Sequence, residues 1–284
     1  MIYVRKDLQP LFAAEHDVED FLAIQGELFK SMPGRHTLRF ERGGRGFFIK
    51  AHFGVGWREI IKNLVNGRLP VLGAGNEWRA IHCLEQLQLA TMRIAAYGEQ
   101  GRNPARQRSF LVTEALDDTE SLDTWLPRLM HYPDRTLYPE LKRAVIHKVA
   151  GIARTLHTNG LNHRDFYLCH LRIDLAGGTS LPAAERLRIY LMDLHRVQRR
   201  RHTPRRWKVK DLGSLLYSAL FQSGELTLTT ADYARFVQAY SGRSLCHELR
   251  VNRAFWRQVI VRMQTLYRKT SSDVPLLPRF LEIE

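Results

Sequence analysis

A His163-Arg164-Asp165 triplet lies three residues beyond Gly160, at the end of a long helical pattern and ahead of the apolar run Leu171-Arg172-Ile173-Asp174. Residues 141–159 place apolar side chains at helical spacing and end at Asn159-Gly160, where glycine can take the left-handed C-terminal conformation. A helix, a short charged loop and a strand in close succession fix the frame for the rest. Residues 188–192 read as a second short strand, and helical sequence runs from Asp211 to the end. Upstream, residues 37–40 and 47–50 are β-branched or aromatic runs flanking the glycine-rich 42–46, which predicts a hairpin. A strand-rich N-terminal half and a helix-rich C-terminal half make the expected class α+β.

Between these halves, residues 57–66 and 76–88 show helical spacing. In the second, Trp78, Ile81, Leu84 and Leu87 form an apolar stripe behind Asn76 as the expected N-cap. Residues 110–113 return to a strand, and the acidic, turn-prone 114–121 breaks the pattern. The expected division is therefore an N-terminal lobe over 1–115 and a C-terminal lobe over 116–284.

The chain has a net charge of +14, with 44% hydrophobic and 25% charged residues, which excludes extended disorder and calls for an anionic partner. Residues 196–210 carry eight Lys or Arg and no acid. Charge alone permits a solvated basic loop there, or a nucleic acid, an anionic membrane surface, an acidic protein or a phosphorylated substrate as partner. The charged first residues predict no signal peptide, and no apolar run reaches the 18 residues of a membrane span. Cys83, Cys169 and Cys246 are scattered, which suits reduced thiols and a cytoplasmic location. Cys169, between Leu168 and His170, is expected to be buried and inert. His157, His195 and His202 are expected to be structural or surface residues rather than ligands.

The His163-Arg164-Asp165 context is that of a protein-kinase catalytic loop, and other residues follow in the matching order. Lys50 ends an apolar strand, as a lysine reaching nucleotide phosphates from a rigid sheet must. Glu77, on the face shared with Ile81 and Leu84, is placed to pair with it. Asp193 follows the strand at 188–192, where a carboxylate would meet a phosphate-bridging metal. His170 stands five residues after Asp165, in the slot where kinases carry a metal-binding asparagine. Asp211, opening an apolar helix, is expected to be an N-cap or an anchor for the catalytic loop.

Asn162-His163-Arg164-Asp165-Phe166-Tyr167-Leu168-Cys169-His170, together with Met192-Asp193-Leu194-His195-Arg196, resembles the lipopolysaccharide core heptose kinases of the WaaP group. Leu38-Arg39-Phe40-Glu41, Glu59-Ile60-Ile61-Lys62-Asn63-Leu64, Leu69-Pro70-Val71-Leu72-Gly73-Ala74, Glu77-Trp78 and Pro204-Arg205-Arg206-Trp207 extend the likeness over about residues 25–220. The resemblance implies a bilobal protein-kinase-like fold, ATP with Mg2+ or Mn2+, and phosphorylation of the first heptose of the inner core on a lipid A-linked acceptor. It makes Asp165 the catalytic carboxylate, Asp193 the metal ligand, and Lys50 and Glu77 the phosphate clamp. Glu114 is a further expected nucleotide contact, Arg35 or Lys30 is expected to supplement the backbone donors of the phosphate cradle, and His170 is expected either to bind the metal weakly or to contact phosphate only. Arg164, Arg196, Arg199, Arg200, Arg205 and Arg206 would meet the anionic acceptor.

The sequence departs from a standard kinase in three ways. The glycines at 43–46 lie in the turn between the expected second and third strands, so the phosphate cradle is expected at 30–35, where only Gly34 is available. His170 is a nitrogen donor where magnesium prefers oxygen. No Ala-Pro-Glu follows Asp193, which argues against a protein substrate. Competing readings are a kinase for Kdo or another small molecule, an inactive kinase fold, and a basic nucleic-acid binder. An aminoglycoside, being a polycation, does not suit the basic segment. No helix-turn-helix, zinc-finger or RNP pattern supports nucleic acid. Peripheral attraction to the inner leaflet and an acidic protein partner such as a carrier protein both suit the charge.

Overall fold

Alternation along one strand decides how the N-terminal part is built. In the computed structural model, which describes residues 1–65, 72–131, 137–175, 183–221 and 228–271, two compact units are distinguished. The first comprises residues 1–117 with 194–196, and the second the remainder.

The first unit contains β1 (Ile2–Val4), α1 (Val18–Leu22), β2 (Glu27–Met32), β3 (Arg35–Arg42), β4 (Arg45–His52), α2 (Gly56–Val65), α3 (Gly75–Gln86), β5 (Ile94–Gln100) and β6 (Arg108–Glu114). The six strands form one antiparallel sheet in the order β1-β5-β6-β4-β3-β2. Phe47 and Ile49 of β4 are buried, and successive strand residues face opposite sides, so Lys50 points to the other side. The Phe47 side is covered by the N-terminal residues: Leu8, Phe12, Val18 and Phe21 pack with Phe40, Phe110 and Val112. Phe21 stacks on Phe110 with centroids 4.1 Å apart.

The hairpin read from residues 37–50 forms, with Arg42 paired to Arg45 across Gly43-Gly44. Both glycines have positive φ, 55° and 70°, as a two-residue primed turn requires. Because β1 precedes it, this hairpin joins the third and fourth strands of the chain rather than the second and third. The turn ahead of it, Pro33-Gly34, joins β2 to β3. α3 starts one residue earlier than read, with Ala74 as its N-cap. Asn76 is not the cap; its side-chain amide donates to the His195 carbonyl at 2.8 Å. Ile81 and Leu84 of the expected stripe are fully buried. Residues 66–71, including Asn66 and the Leu69-Pro70-Val71 stretch, lie outside the described residues.

The second unit contains β7 (Thr119–Ser121), α4 (Leu122–Met130), α5 (Leu137–Thr158), β8 (Leu161–Asn162), β9 (Leu171–Asp174), β10 (Ile189–Leu191), β11 (Gln198–Arg199), α6 (Arg205–Phe221), α7 (Thr230–Ser241) and α8 (Leu245–Tyr267). Leu141, Val145, Val149, Ile152 and Leu156 give α5 its buried face. Gly160 follows with φ 77°. β10-β9-β7 form a three-stranded sheet, and β8 pairs with β11. The basic stretch at 196–210 is not one loop: 198–199 is strand and 205–210 is helix. The expected helical sequence is described as far as residue 271.

Candidate active site

In the first unit, the Lys50 ammonium lies 2.6 Å from Glu77 Oε1, with the glutamate side chain only 2% exposed and the lysine 23%. Burial of Glu77 beside Ile81 and Leu84 on α3 fixes the carboxylate, and the carboxylate in turn holds the lysine. His52, two residues further along β4, is 3% exposed and its ring is pushed down to about 3 by burial, with Arg35, Lys50 and His195 adding to the effect. Arg35 begins β3 beside the Pro33-Gly34 turn, where Gly34 has φ 73°. Glu114 ends β6 with its carboxylate committed to Arg5 at 2.6 Å and Arg45 at 2.5 Å. Arg196 also belongs to this unit.

In the second unit, the loop after β8 is built around Asp211. Its Oδ2 accepts the His163 backbone N–H at 2.7 Å and its Oδ1 the Arg164 N–H at 2.8 Å. It stands inside α6 rather than at the start of it, fully buried, so it is not an N-cap. Arg164 takes a left-handed backbone, φ 77°, which a non-glycine side chain adopts only under constraint. His163 is fully buried; burial lowers its pKa, and its neutral ring donates through Nε2 to the Met192 carbonyl at 2.8 Å. The Met192 N–H returns a bond to the His170 carbonyl at 2.8 Å. These bonds join the stretch carrying Asp165 to the one carrying Asp193.

Asp165 is half-buried, and its carbonyl accepts the His170 Nδ1–H at 2.7 Å. His170 Nε2 faces Asp193 Oδ2 at 3.6 Å. Burial opposes charge on the His170 ring, but the Cys169 sulfur, the Asp165 carbonyl and the Asp193 carboxylate outweigh it and push the pKa up to about 9. Asp193 also has a left-handed backbone, φ 57°. Cys169, expected to be buried, is exposed, because the turn at Leu168–His170 directs Leu168 inward and rotates the next side chain out.

The arginines grouped by the sequence separate. Arg164, Arg200 and Arg206 lie over the Trp207 ring. Arg205 turns instead to α8, donating to Gln258 at 3.0 Å and lying over Phe255. Arg199 is exposed on β11. Trp207 was given no role by the sequence, although an aromatic residue inside a cationic run, with Lys210 three residues on, was a usable signal.

The profile of the lipopolysaccharide kinase (Kdo/WaaP) family matches residues 19–240. The chain belongs to that family. This kinase is 44% identical over 229 residues to the lipopolysaccharide core heptose(I) kinase WaaP of Pseudomonas aeruginosa, covering 80% of the chain and 81% of that protein. It is 36% identical over 270 residues to the protein of the same name from Escherichia coli K12, covering 95% of the chain and 98% of that relative. A solved structure of WaaP in complex with acyl carrier protein superposes with a TM-score of 0.76 at 35% identity, covering 94% of this kinase and 99% of that chain. The α+β class read from the sequence, strand-rich in its N-terminal part and helix-rich in its C-terminal part, is the fold this kinase shares with that WaaP structure.

The catalytic divalent cation of a kinase can be tested against the residues present. Among the described residues no three His, Cys, Asp or Glu side chains form a metal cage. Magnesium at phosphoryl-transfer sites is usually held by one or two carboxylates with substrate phosphates, so the oxygen donor Asp193 fits. His170, engaged through Nδ1 with the Asp165 carbonyl and facing Asp193 through Nε2, is placed to orient that carboxylate, and its nitrogen donor suits magnesium less well than an oxygen does. No helix among the described residues is long and apolar enough to cross a membrane.

Proposed function

We propose that this kinase transfers the γ-phosphate of ATP to a hydroxyl of the first heptose of the lipopolysaccharide inner core. The observation that carries this reading is that three relatives, covering 80 to 95% of the chain, all bear the name core heptose(I) kinase. In the reaction the heptose oxygen bonds to the γ-phosphorus as the bond to the β,γ-bridging oxygen breaks, and ADP departs. Asp165 accepts the hydroxyl proton and orients the attacking oxygen. Such transfer gains mainly from positioning and charge neutralisation, which suits a carboxylate held on a tied loop.

Lys50, held by Glu77, meets the α- and β-phosphates, and Arg35 adds positive charge at the turn before β3. Glu114, with its carboxylate occupied, would meet the nucleotide only through its backbone. Asp193 would hold Mg2+ or Mn2+, which neutralises phosphate charge when bound. His170 keeps Asp193 in place. Arg164, Arg200 and Arg206 favour an anionic acceptor, with Arg199 and Arg205 adding to the positive field of the second unit.

The net charge of +14 supports attraction to an anionic membrane surface on the cytoplasmic side and to an acidic protein. The carrier protein in the related complex makes an acyl carrier protein the proposed protein partner. The test of the substrate is phosphate incorporation into heptose-bearing core lipopolysaccharide lacking core phosphate, beside a Kdo-only acceptor. Incorporation into the first alone supports the heptose assignment. Incorporation into the Kdo-only acceptor moves it to that sugar.

A further inference from the structure

Four cations of the second unit converge on one indole ring. The guanidinium of Arg164 is 5.2 Å from the Trp207 centroid, Arg206 5.4 Å and Arg200 5.6 Å, and the Lys210 ammonium 5.5 Å. They arrive from three places: Arg164 from the catalytic loop, Arg200 from just after β11, and Arg206 and Lys210 from the first turns of α6. Two are visibly held in position. Arg164 is fixed at its backbone by Asp211, and the Arg200 guanidinium by the neutral oxygens of Asn162 at 2.7 Å and Gln198 at 2.6 Å. The Trp207 Nε1–H is buried and, among the described residues, has no hydrogen-bond partner.

Cations sharing one ring lie within about a Debye length of each other, roughly 10 Å, and repel. The quadrupole of a single indole attracts each cation only weakly. An oxyanion among them would be attracted by all four charges and by the positive N-terminal end of α6. A phosphate monoester, with close to two negative charges and three free oxygens, matches four cations arriving from different directions better than a carboxylate does.

We propose that the Trp207 cluster is a subsite for a phosphate group carried by the acceptor, with Trp207 and Lys210 as specificity-determining residues alongside Arg164, Arg200 and Arg206. The proposal rests on the reading of the acceptor as an anionic core glycolipid. Arg164 immediately precedes Asp165, so a phosphate held here anchors the acceptor one residue from the catalytic carboxylate. The neighbouring Arg205, turned to Phe255 and Gln258, is outside the subsite.

The test uses full-length protein labelled with 5-fluorotryptophan, with the Trp207 resonance identified by its loss in Trp207→Phe. Three probes are titrated: methyl phosphate, a deacylated lipid A-linked heptosyl oligosaccharide that keeps its phosphates, and the same oligosaccharide after phosphatase treatment. The expected result is a Trp207 shift at least tenfold more sensitive to the phosphorylated oligosaccharide than to either other probe. Arg206→Gln and Lys210→Gln, both read by the resonances of Trp57, Trp78, Trp125 and Trp256 as folded, should erase that preference. An unmoved Trp207 resonance, equal response to the treated oligosaccharide or to methyl phosphate, or a preference surviving both substitutions would overturn the proposal. Transfer is assayed separately on unlabelled protein: a Trp207 response without transfer sinks the heptose kinase reading while leaving this subsite standing.

Discussion

Asp211 holds Arg164 in a left-handed backbone, accepting its N–H at 2.8 Å from within α6 while the other carboxylate oxygen takes His163. Asp211→Asn replaces one acceptor with an amide that faces an N–H donor, in a fully buried position. A buried donor left unmade costs about 1–3 kcal/mol. Urea denaturation should show that loss, and steady-state kinetics a fall in kcat of tenfold or more with nucleotide affinity little changed. A variant with normal kcat would show that the loop does not need this tie.

Lys50 and Glu77 form the second relationship with a direct consequence. Lys50→Met leaves the Glu77 carboxylate buried without its cation, a change that costs roughly 3–5 kcal/mol at fully buried pairs. Because Lys50 is about a quarter exposed, the expected loss is at or below the lower end of that range. ATP-dependent activity should fall further than stability does. Comparing Lys50→Met, Glu77→Gln and the double variant by denaturation and ATP affinity checks the coupling; additive effects would refute it.

His52 predicts an acid limb of stability. Its folded pKa, about 3, lies below the unfolded value of about 6.5, so the unfolded state binds the proton first. The stabilisation is fully present above about pH 6.5 and is lost as pH falls toward 3, with a slope approaching 1.4 kcal/mol per unit. Urea midpoints of His52→Gln measured between pH 7 and 4 should decline less steeply than those of the parent protein. Parallel curves would contradict the assignment.

Gly160 links the end of α5 to β8 at φ 77°, and a Cβ there would run into the Arg200 carbonyl oxygen. Gly160→Ala combines left-handed strain with a backbone clash, and should destabilise by about 2 kcal/mol or more. Since the Arg200 N–H bonds the Gly160 carbonyl at 2.9 Å, the shift should reach Trp207 and lower transfer too. Thermal unfolding and activity measured on one preparation decide it.

What was legible in the sequence was local. The hairpin at 42–46 and the helix ending at Gly160 could be read because each rests on periodicity or a turn signal within a few residues, and the pairing of Lys50 with Glu77 because both stand on elements read in this way. β1 could not, because Ile2–Val4 is made a strand by pairing with residues 96–98, far along the chain. Asp211 was read as an N-cap or an anchor for the catalytic loop; the anchor forms, but from inside α6 rather than at its start, since the bonds that define its position reach 47 and 48 residues back. The arginines of 196–210 looked equivalent as a run. Once α6 forms, neighbouring residues point about 100° apart, so Arg206 meets Trp207 while Arg205 meets Phe255. The exposure of Cys169 has the same origin, a turn whose direction no local composition revealed.

The central claim is that Asp165 serves transfer to a heptose hydroxyl, and one comparison tests it most directly. Wild-type and Asp165→Asn proteins, matched in thermal unfolding and ATP affinity, are given labelled ATP, magnesium and heptose-bearing core lipopolysaccharide lacking core phosphate. The account predicts incorporation by the wild type and a loss of at least a hundredfold in the variant. Incorporation at comparable rates by both proteins would contradict it.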